Sequence, residues 1–337
     1  MKLDRKTLES IARGVVRVEE NDGYFSLLRF TKEQEELYKG VSKDFYTKTF
    51  ATAGIVLDFV TDSKTLTVKA ELAPSASRTY YSFDIFVDGK EHAHIDNFSG
   101  VEIEKSYSSQ KFEIKPIDTT VDLGDGEKRV SVYMPWSVSV KFGEISLDDG
   151  AKVLPCEKRK KMLVFGDSIT HGYDSMRPCG HYVHKICDTL GYEQINKGIG
   201  AEIYRPELAR LAEPYQPDVV MVVYGTNDWN LCTKEQFTAN CQGFLEALSE
   251  NYKDARIVVL SPIWRKNFTD VKPFGSFFDV EKVQSEIVSN IENAVLISGF
   301  DLVPHDCDMF GDLRLHPNDK GFEYYGENLL KKIRDII

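Results

Sequence analysis

Two side chains of this sequence have the type and the setting that nucleophilic catalysis needs. Ser168 follows the apolar run Met162–Phe165 and the pair Gly166-Asp167, so a buried strand would deliver its hydroxyl onto a tight turn. His316 stands just before Pro317 in a loop segment, a position suited to presenting an imidazole as a general base. Because a serine hydroxyl is a weak nucleophile, it needs such a base and a site for the developing oxyanion. A helix N-cap is the alternative interpretation of Asp167-Ser168.

Two further segments carry groups that can stabilise an oxyanion. Asn227 lies directly after the apolar run Val219–Tyr224, and its side-chain amide can donate to such an oxygen. The alternative for Asn227 is a local turn bond. Gly200 ends the stretch Asn196-Lys197-Gly198-Ile199-Gly200, where a glycine lets a backbone N–H approach a ligand closely or merely permits a turn. The spacing of these glycines does not match a dinucleotide fingerprint.

The elements that carry these segments indicate a parallel α/β domain. Beyond about residue 151, strand-like apolar runs alternate with segments of helix length, which predicts a parallel sheet with helices on both faces and right-handed crossovers. In such sheets the chemistry lies at the carboxyl ends of the strands. The predicted strands are Met162–Phe165, Gln194–Ile195, Val219–Tyr224, Ile257–Leu260 and Val295–Ile297. The predicted helices are His181–Leu190, Pro206–Ala212, Lys234–Asn251, Val280–Glu292 and Gly321–Ile336.

The N-terminal half has a different periodicity. Apolar and polar residues alternate in twos between about Ala51 and Phe142, and Asp88-Gly89 is a hairpin turn signal. We therefore expect an all-β sandwich or jelly roll over residues 1–150, with a short helix opened by the capping box at Thr31, and a catalytic domain over residues 151–337. The predicted strands are Ile55–Val60, Thr65–Glu71, Tyr81–Val87, Glu102–Tyr107, Phe112–Ile117, Arg129–Trp136 and Val138–Ile145.

Taken in order, four segments resemble the conserved blocks of the SGNH (GDSL-type) hydrolase superfamily. The blocks are Gly166-Asp167-Ser168-Ile169, Asn196 to Gly200, Gly225-Thr226-Asn227-Asp228, and Asp312 to His316-Pro317-Asn318. The resemblance covers about residues 160–337 and implies a flavodoxin-like α/β/α fold. It implies Ser168 as nucleophile and His316 as general base. The implied oxyanion hole consists of the backbone N–H groups of Ser168 and Gly200 with the Asn227 amide.

Two departures from the family pattern leave alternatives open. The family places an aspartate three residues before the histidine, whereas Asp312 lies four before His316 and Leu313 holds the usual position. Either a one-residue bulge lets Asp312 complete a triad, or a backbone carbonyl orients the histidine. The glycine block also fits imperfectly, so Ala201 is an alternative to Gly200 as the backbone donor.

A β-rich domain ahead of the catalytic domain resembles the two-domain arrangement of family 2 carbohydrate esterases. That resemblance implies removal of acetyl groups from oligosaccharides of xylan or mannan, without a cofactor or a metal. The alternatives are an esterase or thioesterase acting on a non-sugar acyl ester, and a non-catalytic carbohydrate-binding protein. Trp229 and Trp264 follow strand ends and form either a sugar-stacking platform or buried packing, and His171 could line the pocket. The β-domain is either a cleft wall or a structural cap or oligomer contact.

Composition limits the remaining classes. The 337 residues are 42% hydrophobic and 28% charged, as in ordinary folded domains, and the net charge of −11 disfavours nucleic acid and anionic lipid as partners. No apolar run is long enough for a membrane helix, and the charged N-terminus predicts a cytoplasmic protein. The six cysteines form no C-x-x-C pair, so we expect reduced thiols. The expected partner is thus an acetylated oligosaccharide or another small acyl ester.

Overall fold

The computed structural model describes residues 1–337, and its sheets divide the chain into an antiparallel part and a parallel part. The last antiparallel pairing is at Pro155, and the chain enters the parallel sheet five residues later, at Lys160. None of the helices combines the length and the apolar character that a membrane crossing requires.

The antiparallel part consists of two sheets whose facing sides share one hydrophobic cluster, which contains Leu27, Leu57, Phe59, Val68 and Val140. One sheet has the order β2-β3-β10-β5-β8, formed by β2 Arg17–Asn21, β3 Tyr24–Leu28, β5 Thr65–Pro74, β8 Ile117–Asp122 and β10 Val138–Leu147. The other has the order β1-β4-β9-β6-β7, formed by β1 Ala12–Arg13, β4 Val56–Thr61, β6 Ser82–Val87, β7 Lys90–Asp96 and β9 Lys128–Tyr133, with β11 Leu154–Pro155 beside β4. The predicted antiparallel sandwich is therefore present.

Some predicted strands differ from the observed ones. No strand covers residues 102–107, where a 3-10 turn begins at Tyr107, and the strand expected at 112–117 starts only at Ile117. Tertiary contacts explain the missing strand. Tyr107 and Phe112 pack with Tyr80 in a separate aromatic cluster and do not alternate into the sandwich core. The hairpin β2–β3 was absent from the prediction, although its Asp22-Gly23 turn has the positive φ angles that such hairpins favour.

The parallel part has the strand order β13-β12-β14-β15-β16, that is, second, first, third, fourth and fifth along the domain. This is the flavodoxin-like doubly wound order. Its strands are β12 Lys160–Gly166, β13 Tyr192–Asn196, β14 Val219–Val223, β15 Arg256–Leu260 and β16 Ala294–Ile297. Its helices are α4 Ser168–His171, α5 Tyr182–Leu190, α6 Pro206–Ala209, α7 Thr226–Leu231, α8 Lys234–Asn251, α9 Phe278–Val288 and α10 Asp319–Ile333. Every residue of β14 is buried, as expected for a central strand covered on both faces.

Three helices precede the main sandwich strands: α1 Arg5–Ile11, α2 Lys32–Val41 and α3 Lys43–Lys48. The predicted capping box opens α2, where Thr31 and Gln34 bond reciprocally. Phe30 and Tyr38 pack in the same cluster as residues of the parallel sheet rather than in the sandwich core. The segment 30–48 thus belongs to the N-terminal half of the sequence, while its residues Phe30 and Tyr38 are buried in the core of the parallel part.

Candidate active site

Ser168 follows the carboxyl end of β12. This strand pairs with β13 on one side and with β14 on the other. This is the topological switch point of the sheet, where doubly wound folds open a crevice. Asp167 caps α4 by accepting the Ile169 N–H at 2.9 Å, and burial raises the pKa of its carboxyl to about 6. A Cβ at Gly166 would lie 2.1 Å from the Thr170 hydroxyl oxygen, so only glycine fits before the turn. The N-cap and nucleophile interpretations are therefore compatible.

A chain of hydrogen bonds joins Ser168, His316 and Asp312. The distance from Ser168 Oγ to His316 Nε2 is 2.8 Å, and that from His316 Nδ1 to Asp312 Oδ2 is also 2.8 Å. Burial opposes ionisation of Asp312, but the hydrogen bond and charge of His316 and the backbone donors hold the pKa of the carboxyl well below its usual range. The geometry allows His316 to take a proton from Ser168 while Asp312 holds the imidazole in one tautomer.

The loop between Asp312 and His316 shows how the longer spacing is accommodated. Leu313 has φ +56°, a left-handed conformation that is uncommon for a non-glycine residue. Asp312 Oδ1 accepts the backbone N–H groups of Arg314, Leu315 and His316 at 2.9, 2.7 and 3.1 Å. Of the two alternatives, the structure brings the Asp312 carboxylate to the imidazole and leaves no need for a backbone carbonyl.

The loop that follows β13 continues the parallel ladder and then leaves one N–H free. Lys197 N–H donates to Val164 at 2.7 Å and Ile199 N–H donates to Gly166 at 3.0 Å. The chain then turns, with the Glu202 N–H donating to the Ile199 carbonyl at 3.1 Å, and the Ala201 N–H inside this turn has no hydrogen-bond acceptor. We call residues 196–201 the oxyanion loop. It is the segment in which the sequence pattern leaves the backbone donor undecided.

The Gly200 N–H faces a different group. It donates to Nδ1 of the buried His171 at 3.3 Å, so the geometry favours Ala201 over Gly200 as the backbone oxyanion donor. The Ser168 N–H occupies the first position of α4, where a helical N–H has no intrahelical partner. The Asn227 side-chain amide donates one hydrogen to the Glu202 carbonyl at 2.9 Å and keeps its second hydrogen for a ligand.

The three residues expected to contact substrate are buried for structural reasons. Trp229 is fully buried and its indole N–H donates to Gly275 at 3.0 Å. Trp264 is 7% exposed and stacks on His305 inside a core cluster. His171 is 1% exposed, and its Nε2 bonds the Trp136 carbonyl at 3.0 Å. The burial of these side chains favours the packing alternative over a sugar-stacking platform and a pocket-lining histidine.

The structure adds residues at the site that no sequence motif indicated. Arg78 comes from the sandwich, in the loop between β5 and β6, and its Nε donates to Asp174 at 2.7 Å. The guanidinium lies 5.1 Å from the Tyr173 ring centre, and its Nη2 lies 3.5 Å from His316 Nδ1. The Tyr173 ring in turn packs on His316, with 5.5 Å between ring centres. The sandwich thus contributes an arginine to the surroundings of His316, from an otherwise ordinary polar loop.

Three side chains could together approach a cation. Ligand atoms of Asp174, Asp312 and His316 all lie within 4.8 Å of one another. These groups already bond otherwise, since Asp312 bonds His316 and Asp174 accepts from Arg78 and the Tyr80 hydroxyl. The Arg78 guanidinium therefore stands where a cation would be expected.

Comparison with solved structures shows the same two-part fold along nearly the whole chain. A salicylyl-acyltransferase, SsfX3, from a tetracycline biosynthetic pathway has a TM-score of 0.78 at 21% identity, covering 96% of this chain and 94% of that one. A family two carbohydrate esterase from Cellvibrio japonicus has a TM-score of 0.65 at 17% identity, with 97% and 95% covered. An acetyl xylan esterase from the rumen bacterium Butyrivibrio proteoclasticus has a TM-score of 0.63 at 13% identity, with 100% and 97% covered. At such identities the likeness concerns the fold.

The family comparison concerns the C-terminal domain. Residues 164–324 match the GDSL-like Lipase/Acylhydrolase family, and this range includes the segments of Ser168, Asn227 and His316. No curated protein matches the chain. The family match agrees with the strand order and with the serine at the switch point. Residues 164–324 therefore match the GDSL-like lipase/acylhydrolase family, and this match together with the fold supports an ester-hydrolysing enzyme of the SGNH type.

Proposed function

We propose that this protein is a serine esterase that removes short acyl groups, acetyl in particular, from carbohydrate. The observation that carries the proposal is the pair of 2.8 Å hydrogen bonds that join Asp312 to His316 and His316 to Ser168. Such a chain turns a weak hydroxyl into a nucleophile, because the histidine accepts the proton as the new bond forms.

The reaction proceeds in two halves. Ser168 Oγ attacks the ester carbonyl while His316 Nε2 takes its proton, and the oxyanion accepts hydrogen bonds from the Ser168 and Ala201 N–H groups and the Asn227 amide. The tetrahedral intermediate expels the sugar hydroxyl, which receives the proton from His316. Water then attacks the acyl-enzyme with His316 as base and releases the carboxylic acid. Asp312 stabilises the imidazolium in both halves.

Close packing around the nucleophile supports a short acyl group. Ser168 is only 5% exposed, and the ring of Tyr173 lies against His316. The same tyrosine closes on the oxyanion loop, since a Cβ at Gly200 would lie 2.5 Å from its hydroxyl oxygen. An acetyl group needs little space at such a site, whereas a long acyl chain needs an apolar channel.

The choice of carbohydrate rests on architecture. The structural similarity to an acetyl xylan esterase and to a family two carbohydrate esterase spans both parts of the chain. Because Arg78 of the sandwich lines the site, we propose that the sandwich is a wall of the substrate cleft, and that acetylated oligosaccharides of xylan or mannan bind there.

We also propose that the sandwich is a jelly roll. The strand order β3-β10-β5-β8 in one sheet and β4-β9-β6-β7 in the other supports this, because from β3 to β10 the chain changes sheet at every step except the hairpin β6–β7.

A second candidate is acyl transfer or hydrolysis on a non-sugar ester. It is favoured by the TM-score of 0.78 with the salicylyl-acyltransferase, which also shares both parts of the fold. The same acyl-enzyme would serve, with an alcohol in place of water in the second half. A preference for aromatic or long acyl donors, or acyl transfer to added alcohols in place of hydrolysis, would establish this candidate.

The test compares 4-nitrophenyl acetate with 4-nitrophenyl octanoate, using the wild type, Ser168→Ala and the surface control Ser289→Ala. We expect a strong preference for acetate, an inactive Ser168→Ala and an unchanged control, followed by release of acetate from acetylated xylo- or manno-oligosaccharides. Preference for octanoate would overturn the deacetylase proposal. Full activity in Ser168→Ala would overturn the mechanism.

A further inference from the structure

The oxyanion loop is held from behind by two cations of the N-terminal segment. Arg29, directly after β3, is completely buried, and its Nη1 donates to the carbonyls of Asn196 and Gly198 at 2.9 and 2.8 Å. Lys48, the last residue of α3, is 6% exposed, and its ammonium donates to the carbonyl of Gly200 at 2.9 Å. The carbonyls of Asn196, Gly198 and Gly200 are thus bonded to buried cations. Both cations lie outside residues 164–324, the range of the family match.

The two cations are also joined to each other. Arg29 Nη2 donates to the backbone carbonyl of Lys48 at 3.0 Å and its Nε donates to that of Ala51 at 2.8 Å. No carboxylate bonds Arg29, and burial lowers the pKa of its guanidinium to about 9, which still leaves it charged at neutral pH. Burying the Arg29 guanidinium without a carboxylate partner costs free energy. We therefore infer that its bonds to backbone carbonyls serve a role beyond stability.

The bond from Lys48 acts on one particular peptide unit. The Gly200 carbonyl and the Ala201 N–H belong to the same planar trans peptide, so they point in opposite directions. With the carbonyl bonded to Lys48 on one side, the Ala201 N–H is directed to the other side, where it has no acceptor. Ala201 has φ +73°, a conformation that a non-glycine residue keeps only when its surroundings impose it.

We propose that Lys48 is a positioning residue for the oxyanion hole: its ammonium holds the Gly200–Ala201 peptide so that the Ala201 N–H faces the oxygen that develops negative charge on attack by Ser168. Arg29 supports the same loop two and four peptides earlier. The inference rests on the proposed acyl-enzyme mechanism and adds to it a residue that never touches the substrate. It also assigns a role to the segment that crosses from the N-terminal half into the C-terminal domain.

The test uses Lys48→Met and Lys48→Gln, with Lys43→Met as a matched control on the exposed side of the same helix. Because a displaced oxyanion donor weakens transition-state binding and not substrate binding, kcat for 4-nitrophenyl acetate should fall by about 10- to 100-fold with KM nearly unchanged. Phenylboronic acid forms a tetrahedral adduct on serine, and its Ki should rise by a similar factor. Thermal unfolding of each variant reports folding separately.

A folded Lys48 variant with wild-type kcat and wild-type boronate affinity would overturn the positioning role. If Ser168→Ala is inactive in the same assays, the proposed function still stands, so the two failures are distinguishable. Should neither Lys48 variant fold, the wild type supplies the measurement: the amide resonance of Ala201 should shift when a fluorophosphonate modifies Ser168. A shift of the Gly200 amide with none at Ala201 would overturn the proposal.

Discussion

His316 Nδ1 lies 2.8 Å from Asp312 Oδ2 although four residues separate the pair, because Leu313 turns the loop through a left-handed conformation. The turn places three backbone N–H groups on the other carboxylate oxygen, so Asp312 is fixed from both sides. A carboxylate held in this way keeps its charge and aims the imidazole at Ser168.

Asp312→Asn should lower kcat strongly while leaving the fold intact. An asparagine can reproduce the size of Asp312, but it favours the wrong imidazole tautomer and cannot balance the imidazolium charge, so we expect a loss of about 10³- to 10⁴-fold. Steady-state kinetics on 4-nitrophenyl acetate measure the loss, with the exposed Asp301→Asn as control. A decrease of less than about tenfold would show that another group orients His316.

The ion pair between Arg78 and Asp174 should couple the sandwich to the catalytic domain. The Asp174 side chain is fully buried, so Arg78→Met leaves a buried carboxylate without its cation and should cost about 3–5 kcal/mol. Arg78→Met combined with Asp174→Asn should recover much of that loss, as urea unfolding in a double-mutant cycle would show. The exposed Arg314→Met is the control. Additive losses in the double variant would contradict the coupling.

Trp229→Phe should affect stability and not substrate binding. The indole is fully buried, packs on Phe277 and donates to Gly275, so the substitution leaves a cavity and removes a hydrogen bond. We expect a loss of about 1–3 kcal/mol in the free energy of unfolding, with KM for acetylated oligosaccharide unchanged. A raised KM in a variant of wild-type stability would restore the sugar-platform interpretation.

Acid should destabilise the protein through buried histidines, of which His184 is the clearest to test. Burial lowers the pKa of His184 to about 4, whereas in the unfolded chain it is about 6.5. Between these values the unfolded state binds the additional proton, so the stability contribution is present above pH 6.5 and is lost as pH falls toward 4. His184→Gln should reduce the slope of unfolding free energy against pH by up to about 1.4 kcal/mol per pH unit in this window.

Urea unfolding at pH 7, 6 and 5 measures that slope. The exposed His92→Gln is the matched histidine control. A slope in His184→Gln equal to that of the wild type would show that His184 is accessible to protons in the folded state.

Elements with strong local signals were predictable. The alternating runs of β4, β6 and β10, the capping boxes at Thr31 and Thr233, and the helix Lys234–Asn251 were all expected from the sequence and are present. The stretch around Tyr107 was not, since its alternation resembles a strand but its aromatic side chains pack into another cluster. Periodicity reports which residues are apolar, and not which neighbour will bury them.

The same distinction between local signals and tertiary contacts applies to the candidate active site. The sequence by itself indicated the family resemblance, the parallel domain, and the candidate serine, asparagine and histidine, because each lies in a short segment whose position follows from local pattern. Only the tertiary structure decided that Asp312 reaches His316, that Trp229 and Trp264 are packing residues, and that Arg78 and Lys48 reach the catalytic domain. Those contacts join residues distant in sequence, and their energies depend on burial and direction, which no local spacing encodes.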